Sequence, residues 1–122
     1  MEYLLVIFFS YICGSVPFGL ILTKLFTNTD IRKVGSGNIG ATNVLRTGNK
    51  YLALATLFFD VIKGYGAVAL TQHYYPAYAE ISSIIVFLGH IFPVWMNFKG
   101  GKGVATYLGV LFALNLSLAI LF

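Results

Sequence analysis

The sequence predicts an all-α integral membrane protein: a polytopic transmembrane helix bundle with glycine-rich loops, re-entrant or half-helical, at its cytoplasmic face. Three observations predict it. Of 122 residues, 58% are hydrophobic and only 10% charged, against about 25% charged in an ordinary soluble domain, and the mean hydropathy is +0.84. A soluble fold of this size cannot cover that much apolar surface. The apolar residues fall into runs near the ~20 residues that a helix needs to cross a bilayer. Gly, Asn, Ser, Thr, Arg and Lys instead collect in two short stretches, Val34–Lys50 and Phe98–Thr106.

Four spans follow in order, making one transmembrane domain over residues 1–122. The first runs from about Glu2 to Leu25, and Pro17 and Gly19 predict a kink within it. It lacks the basic flank of a signal peptide, because only Met1 and Glu2 precede it, so it reads as a retained span. The second covers Tyr51–Leu70. The third, Glu80–Trp95, is short and bounded by Pro93, which suits a tilted helix or one continuing as a half-helix into the second glycine stretch. The fourth, Val104–Phe122, stops inside an apolar run without a polar flank, as expected of a chain incomplete at its C-terminus. Strand-period alternation is absent, which argues against a barrel.

Orientation follows from Lys and Arg. The 26–50 loop and its edge carry Lys24, Arg32, Lys33, Arg46 and Lys50, and the 99–103 loop carries Lys99 and Lys102. The Gln72–Ala79 turn and the N-terminus carry none. The N-terminus is therefore expected outside, with both glycine loops in the cytoplasm. Cys13 lies at membrane depth, with no neighbouring His, and reads as a small buried hydrophobe.

In the first loop, Gly35, Gly37 and Gly40 spell G-x-G-x-x-G. The dinucleotide reading fails, because Thr29–Val34 is too short and polar for a buried strand and Asp60 lies within an apolar run. The chemistry of the motif survives. Glycines let backbone amides approach an anion, and Ser36, Asn38, Thr42 and Asn43 add neutral donors. Thr42 or Asn43 is placed to cap a short helix reaching Arg46, with Gly48 ending it. Arg46 offers the guanidinium fork that fits a phosphate bidentately. The competing reading, anchoring of Arg46 and Lys50 to anionic lipid heads, requires only charge. It does not account for the density of Gly, Ser, Asn and Thr.

In the second loop, Gly100-Gly101-Lys102-Gly103 resembles a phosphate-binding P-loop but lacks its leading glycine (Met96 stands there) and its Ser or Thr after the lysine. What remains is a flexible lysine among glycines at the start of a helix containing Thr106, suited to an anion on a helix N-terminus. The alternative is a membrane-edge turn with snorkelling lysines. His90 reads as a general base, a ligand or a neutral packed imidazole, with the supporting role favoured because no polar partner is in view. Asp60 and Lys63, three apart, share a helix face and are expected to pair inside the bundle. No metal is expected, since the loops contain a single carboxylate, Asp30, and no Cys/His spacing suits zinc. No nucleic-acid partner is expected.

With these residues in place, the chain resembles the bacterial membrane acyltransferases that acylate glycerol 3-phosphate from acyl phosphate, the PlsY family. The resemblance rests on Lys33–Arg46, on Asp60-Val61-Ile62-Lys63-Gly64, on Gly89–Pro93 continuing through Phe98–Thr106, and on Gly14–Gly19. It implies a helical bundle in the bacterial inner membrane, an active site at the cytoplasmic interface, and catalysis without metal, CoA or other cofactor. It places Ser36 and Arg46 in a catalytic first motif. It places Lys102 and its glycines in a second motif that binds the phosphorylated substrates. It further implies a third motif, with His and Asn, beyond Phe122. The partners implied are acyl phosphate, glycerol 3-phosphate and membrane lipid. Two other classes compete on residues alone. A transporter of a phosphorylated solute would show inverted-repeat symmetry, and none is visible. A non-catalytic, anionic-lipid-binding subunit would tolerate Arg46→Lys.

Overall fold

The computed structural model describes residues 1–121, so residue 122 of the expected fourth span lies outside the described residues. The described chain is helical: α1 (Glu2–Ser15), α2 (Phe18–Thr27), α3 (Ala41–Arg46), α4 (Lys50–Tyr74), α5 (Ala79–Ile91), α6 (Val104–Leu114) and α7 (Leu116–Leu121), with 3₁₀ turns at Ile31–Lys33, Pro76–Tyr78 and Val94–Met96. Helix α4 is central and packs against α1, α2, α3, α5 and α6.

Among the described residues, three stretches are long and apolar enough to cross a membrane: Glu2–Thr27, Lys50–Tyr74 and Pro76–Met96. The first is broken at Val16–Pro17. Proline has no N–H and forces the preceding residue out of the helical region, and Val16 is extended at φ −67°, ψ 113°. The fourth expected span is divided. Asn115, extended at φ −156°, ends α6 after 11 residues. Its side chain then accepts the Leu118 N–H at 3.2 Å to start α7. Asparagine competes for backbone hydrogen bonds in this way, and hydropathy alone does not register it.

Helical glycines set the closest crossings. A Cβ on Gly14 would strike the Val86 carbonyl, and one on Gly89 the Tyr11 carbonyl, so α1 and α5 meet backbone to backbone. Gly64 and Gly109 do the same for α4 and α6, against the carbonyls of Thr106 and Val61. Small residues at helix contacts are how membrane helices gain packing without a hydrophobic drive between them.

The 26–50 segment is more than a loop. Ile31, Ile39 and Val44, at 0%, 3% and 0% exposure, join Leu20, Leu52, Ala53 and Met96 in a core at the glycine-loop end of the bundle. That core fixes the first glycine loop over the ends of α2 and α4.

Candidate active site

The first loop is held from within by one side chain. Asn43 sits in α3 and is 1% exposed. Its Nδ2 donates to the carbonyls of Val34 (2.8 Å), Asn38 (2.9 Å) and Ile31 (3.2 Å), and its Oδ1 accepts the Ser36 N–H at 3.2 Å. Gly35 and Gly37 take positive φ, 55° and 76°, so the chain can fold around that amide. A Cβ on Gly35 would collide with Asn43 Oδ1. Two short side-chain turns finish the loop: Ser36 Oγ accepts from the Asn38 N–H at 3.3 Å, and Asn38 Oδ1 from the Gly40 N–H at 2.8 Å.

Two expectations are corrected here. Neither Thr42 nor Asn43 caps α3; Gly40 occupies the cap position, with no side-chain cap. Asn43 is also no free ligand donor, since its amide is spent on the loop backbone.

The second loop is organised around the end of α5. The Gly100 N–H donates to the Ile91 carbonyl at 2.8 Å and the Gly101 N–H to the His90 carbonyl at 3.2 Å. Cβ atoms at these positions would overlap the His90 carbonyl and the His90 ring respectively. The amides of Gly100 and Gly101 are therefore not available to an anion, contrary to expectation. Gly103, at φ 86°, then turns the chain into α6. Thr106 is also corrected: it is fully buried, packs where α6 crosses Gly64, and among the described residues its Oγ1 has no hydrogen-bond partner.

The two loops close over one cavity of about 320 Å³. Ser36, Asn38, Gly40, Thr42, Asn43 and Arg46 line it from the first loop, and Lys102 and Gly103 from the second. Asp60 and His90 line it as well, and Leu57, Val104 and Leu108 give it an apolar side. Gly35, Gly37, Gly100, Gly101 and Thr106 are not on its wall. Ser36, Arg46 and Lys102 are exposed, whereas Asp60, Lys63 and His90 are buried at 2%, 7% and 4%. The cavity thus has two cations and the Ser36 and Thr42 hydroxyls among its exposed residues, with a buried polar cluster beneath. A larger hollow of about 510 Å³ lies beside Thr27, Thr47 and Lys50. It is open and contains a single cation, so it lacks the converging groups of a site.

The buried cluster joins three elements. Lys63 Nζ pairs with Asp60 Oδ1 at 3.1 Å, as expected from their spacing. It also donates to the Val16 carbonyl at 2.9 Å, beside the Pro17 break, where that oxygen also accepts the Phe18 N–H at 3.1 Å, and it lies 2.8 Å from His90 Nδ1. The partner of His90 could not be read from its neighbours in the sequence, because it is 27 residues away on another helix. Outside the spans, the Arg32 guanidinium hydrogen-bonds Asp30 and holds its carboxyl at about 2. Among the described residues, no three His, Cys, Asp or Glu side chains converge as a metal site would require.

Known proteins are similar to this chain in sequence and fold. Residues 4–122 match the family described as glycerol-3-phosphate acyltransferase. A relative of that name from Pelagibacter ubique is 57% identical over 122 residues, covering 100% of this chain and 64% of its own length. One from Brucella anthropi is 62% identical over 106 residues, 87% of this chain and 53% of its own. The crystal structure of PlsY, an integral membrane glycerol 3-phosphate acyltransferase in its glycerol 3-phosphate form, superposes with a TM-score of 0.91 at 39% identity, over 99% of this chain and 62% of that one. Its lysophosphatidic acid form gives 0.89 at 36% identity. The chain thus spans roughly three fifths of the length of these relatives, and the match runs through both glycine loops and the helices between them. This chain is a multi-pass membrane protein that belongs to the glycerol-3-phosphate acyltransferase family.

Proposed function

We propose that the protein carrying this chain transfers a fatty acyl group from acyl phosphate to glycerol 3-phosphate, giving lysophosphatidic acid. The observation that supports it most is the meeting of Ser36 and Arg46 with Lys102 on one cavity wall. Two anionic substrates need a cationic, donor-rich pocket, and a chain that also holds an acyl tail needs an apolar exit. Leu57 on α4 and Val104 and Leu108 on α6 supply that exit toward lipid.

The chemistry asks little of the protein. Acyl phosphate is an activated anhydride whose leaving group is phosphate. A hydroxyl oxygen of glycerol 3-phosphate attacks the acyl carbon, the bond from that carbon to the phosphate oxygen breaks, and the hydroxyl proton passes to a phosphate oxygen. No acyl-enzyme forms. The protein aligns the reactants and stabilises developing negative charge. In this reading Arg46 and Lys102 hold the phosphates, and Ser36 donates to an anionic oxygen. Asn38, Thr42 and the Gly40 and Gly103 backbone complete the wall. Asp60, Lys63 and His90 support it from beneath, and no metal takes part.

In the full-length protein, assayed with acyl phosphate and glycerol 3-phosphate, Arg46→Lys should slow transfer at least about tenfold, or roughly 1.4 kcal/mol. The wild-type rate should persist in excess EDTA. A wild-type rate in Arg46→Lys would return the loop to lipid anchoring. We place the N-terminus outside the bacterial inner membrane and both glycine loops in the cytoplasm, on the distribution of Lys and Arg. Thiol labelling of single-Cys variants at Thr47 and Ala77, in a Cys13→Ser background, should find only Ala77 accessible from outside. External labelling at Thr47 reverses the orientation.

A further inference from the structure

We infer that His90 is held as a neutral imidazole protonated on Nε2, a fixed hydrogen-bond donor to an anionic substrate oxygen at the cavity floor, with Lys63 as the residue that positions it. The inference rests on the proposed function for the identity of the anion.

Lysine's ammonium has three protons and no acceptor. The three polar atoms around Lys63 Nζ are the Val16 carbonyl oxygen at 2.9 Å, Asp60 Oδ1 at 3.1 Å and His90 Nδ1 at 2.8 Å. The first two can only accept. Asp60, 3% exposed at its side chain, is the ion-pair partner of this nitrogen, and the Phe18 ring lies beside it with its centroid 5.7 Å from Nζ. The remaining Lys63 proton therefore goes to His90 Nδ1. An imidazole that accepts at Nδ1 carries its proton on Nε2. A second proton on the ring would face the Lys63 ammonium.

The second glycine loop fixes where that ring sits. The ring packs against Gly101, where any Cβ would meet Nε2 and Cε1. The His90 carbonyl accepts the Gly101 N–H, and a Cβ on Gly100 would overlap that same carbonyl. Gly100 and Gly101 thus seat His90 by close approach. The ring is 4% exposed as a residue and lines the cavity together with Arg46 and Lys102. Among the described residues, its Nδ1 is bound to Lys63 and its Nε2 has no protein partner. A neutral donor here complements the two cations without adding charge beside Lys63. His90 is then a donor to substrate and not a general base.

The test uses nitrogen-15 histidine NMR of the full-length protein in lipid at neutral pH, with His90 signals assigned by their loss in His90→Gln. The expected result is a protonated Nε2 and an unprotonated Nδ1. Addition of glycerol 3-phosphate should shift Nε2, and Lys63→Met should abolish the single tautomer. Kinetics give a second reading. His90→Phe, flat but without a donor, should raise KM for glycerol 3-phosphate about tenfold or more. His90→Gln, whose amide can donate from a similar position, should stay within about threefold. A proton on Nδ1, or on both nitrogens, overturns the inference, as does an Nε2 signal indifferent to bound glycerol 3-phosphate. Should His90→Phe fail to fold, the spectra of the wild type and Lys63→Met still decide. If the tautomer and the ligand shift are found but no acyl transfer occurs, the proposed function fails and the assignment of His90 stands.

Discussion

The two glycine loops look alike in sequence and are built on opposite principles. In the first, glycines serve conformation: Gly35 and Gly37 adopt positive φ so that the backbone can wrap the buried Asn43 amide. In the second, Gly100 and Gly101 serve proximity, removing side chains that would collide with His90. One loop is organised by a polar side chain inside it, the other by a helix end outside it. A high local density of glycine therefore says that backbone is tightly placed, but not what it is placed against. In neither loop do most of the glycines present bare amides to the cavity. The exposed Ser36, Arg46 and Lys102 do the presenting, and the glycines position them.

That contrast is sharpened most by removing the organiser of the first loop. Asn43→Ala takes the partner from the Asn38 carbonyl and the Ser36 N–H, and takes a second donor from the Ile31 and Val34 carbonyls, which keep the Val34 and Gly37 N–H groups. With buried polar groups left unpaired, the expected loss is about 2–4 kcal/mol. It should appear as a lower unfolding temperature in detergent together with a raised KM for glycerol 3-phosphate, since Ser36 and Arg46 lose their frame. A change below about 0.5 kcal/mol would mean that the loop is held by its apolar anchors alone. Gly100→Ala should cost less, about 1–3 kcal/mol, because the new methyl forces a shift against the His90 carbonyl and Pro93 without unpairing a network. Its effect on turnover should come through His90 and leave the first loop intact. If both variants disturb both loops equally, the two are one cooperative unit and the contrast is wrong.

Much of this was legible in the sequence, for stated physical reasons. Apolar runs and the Pro17 break gave the helical class and its first kink. Spacing gave the Asp60–Lys63 pair, since residues three apart share a face. Composition marked both loops, and Ser36, Arg46 and Lys102 do meet on one cavity. What escaped reading depended on distant contacts. The Lys63–His90 bond joins α4 to α5, and no local pattern encodes it. Asn43 looked like a cap or ligand because its sequence neighbours are polar, yet its partners lie 5 to 12 residues back. Ile31 and Ile39 looked like loop residues and proved to be core. The division of the last span at Asn115 was hidden by a hydropathy signal that one polar residue barely lowers.

The smallest expected effect lies where the first loop meets solvent, at Asp30. Its carboxylate takes two hydrogen bonds from the Arg32 side chain, each 2.9 Å, and accepts the Arg32 N–H at 3.0 Å to cap the Ile31–Lys33 turn. Chiefly through the Arg32 side-chain bond, its pKa falls from the ordinary 3.8 to about 2. A carboxyl depressed in the folded state adds stability that is fully present above its unfolded value and is lost as pH falls through its folded value. The relevant window therefore runs from about pH 4 down to about pH 2. Asp30→Asn keeps a carbonyl for the cap and removes only the charge. Because the pair is exposed and screened, the variant should unfold within a few degrees of wild type at pH 6 and retain its KM for glycerol 3-phosphate. The remaining difference should be flat above about pH 5, shrink through the window and weaken in salt. A large change at pH 6, or a difference independent of pH, would show that Asp30 does more than trim the edge of a loop held by Asn43.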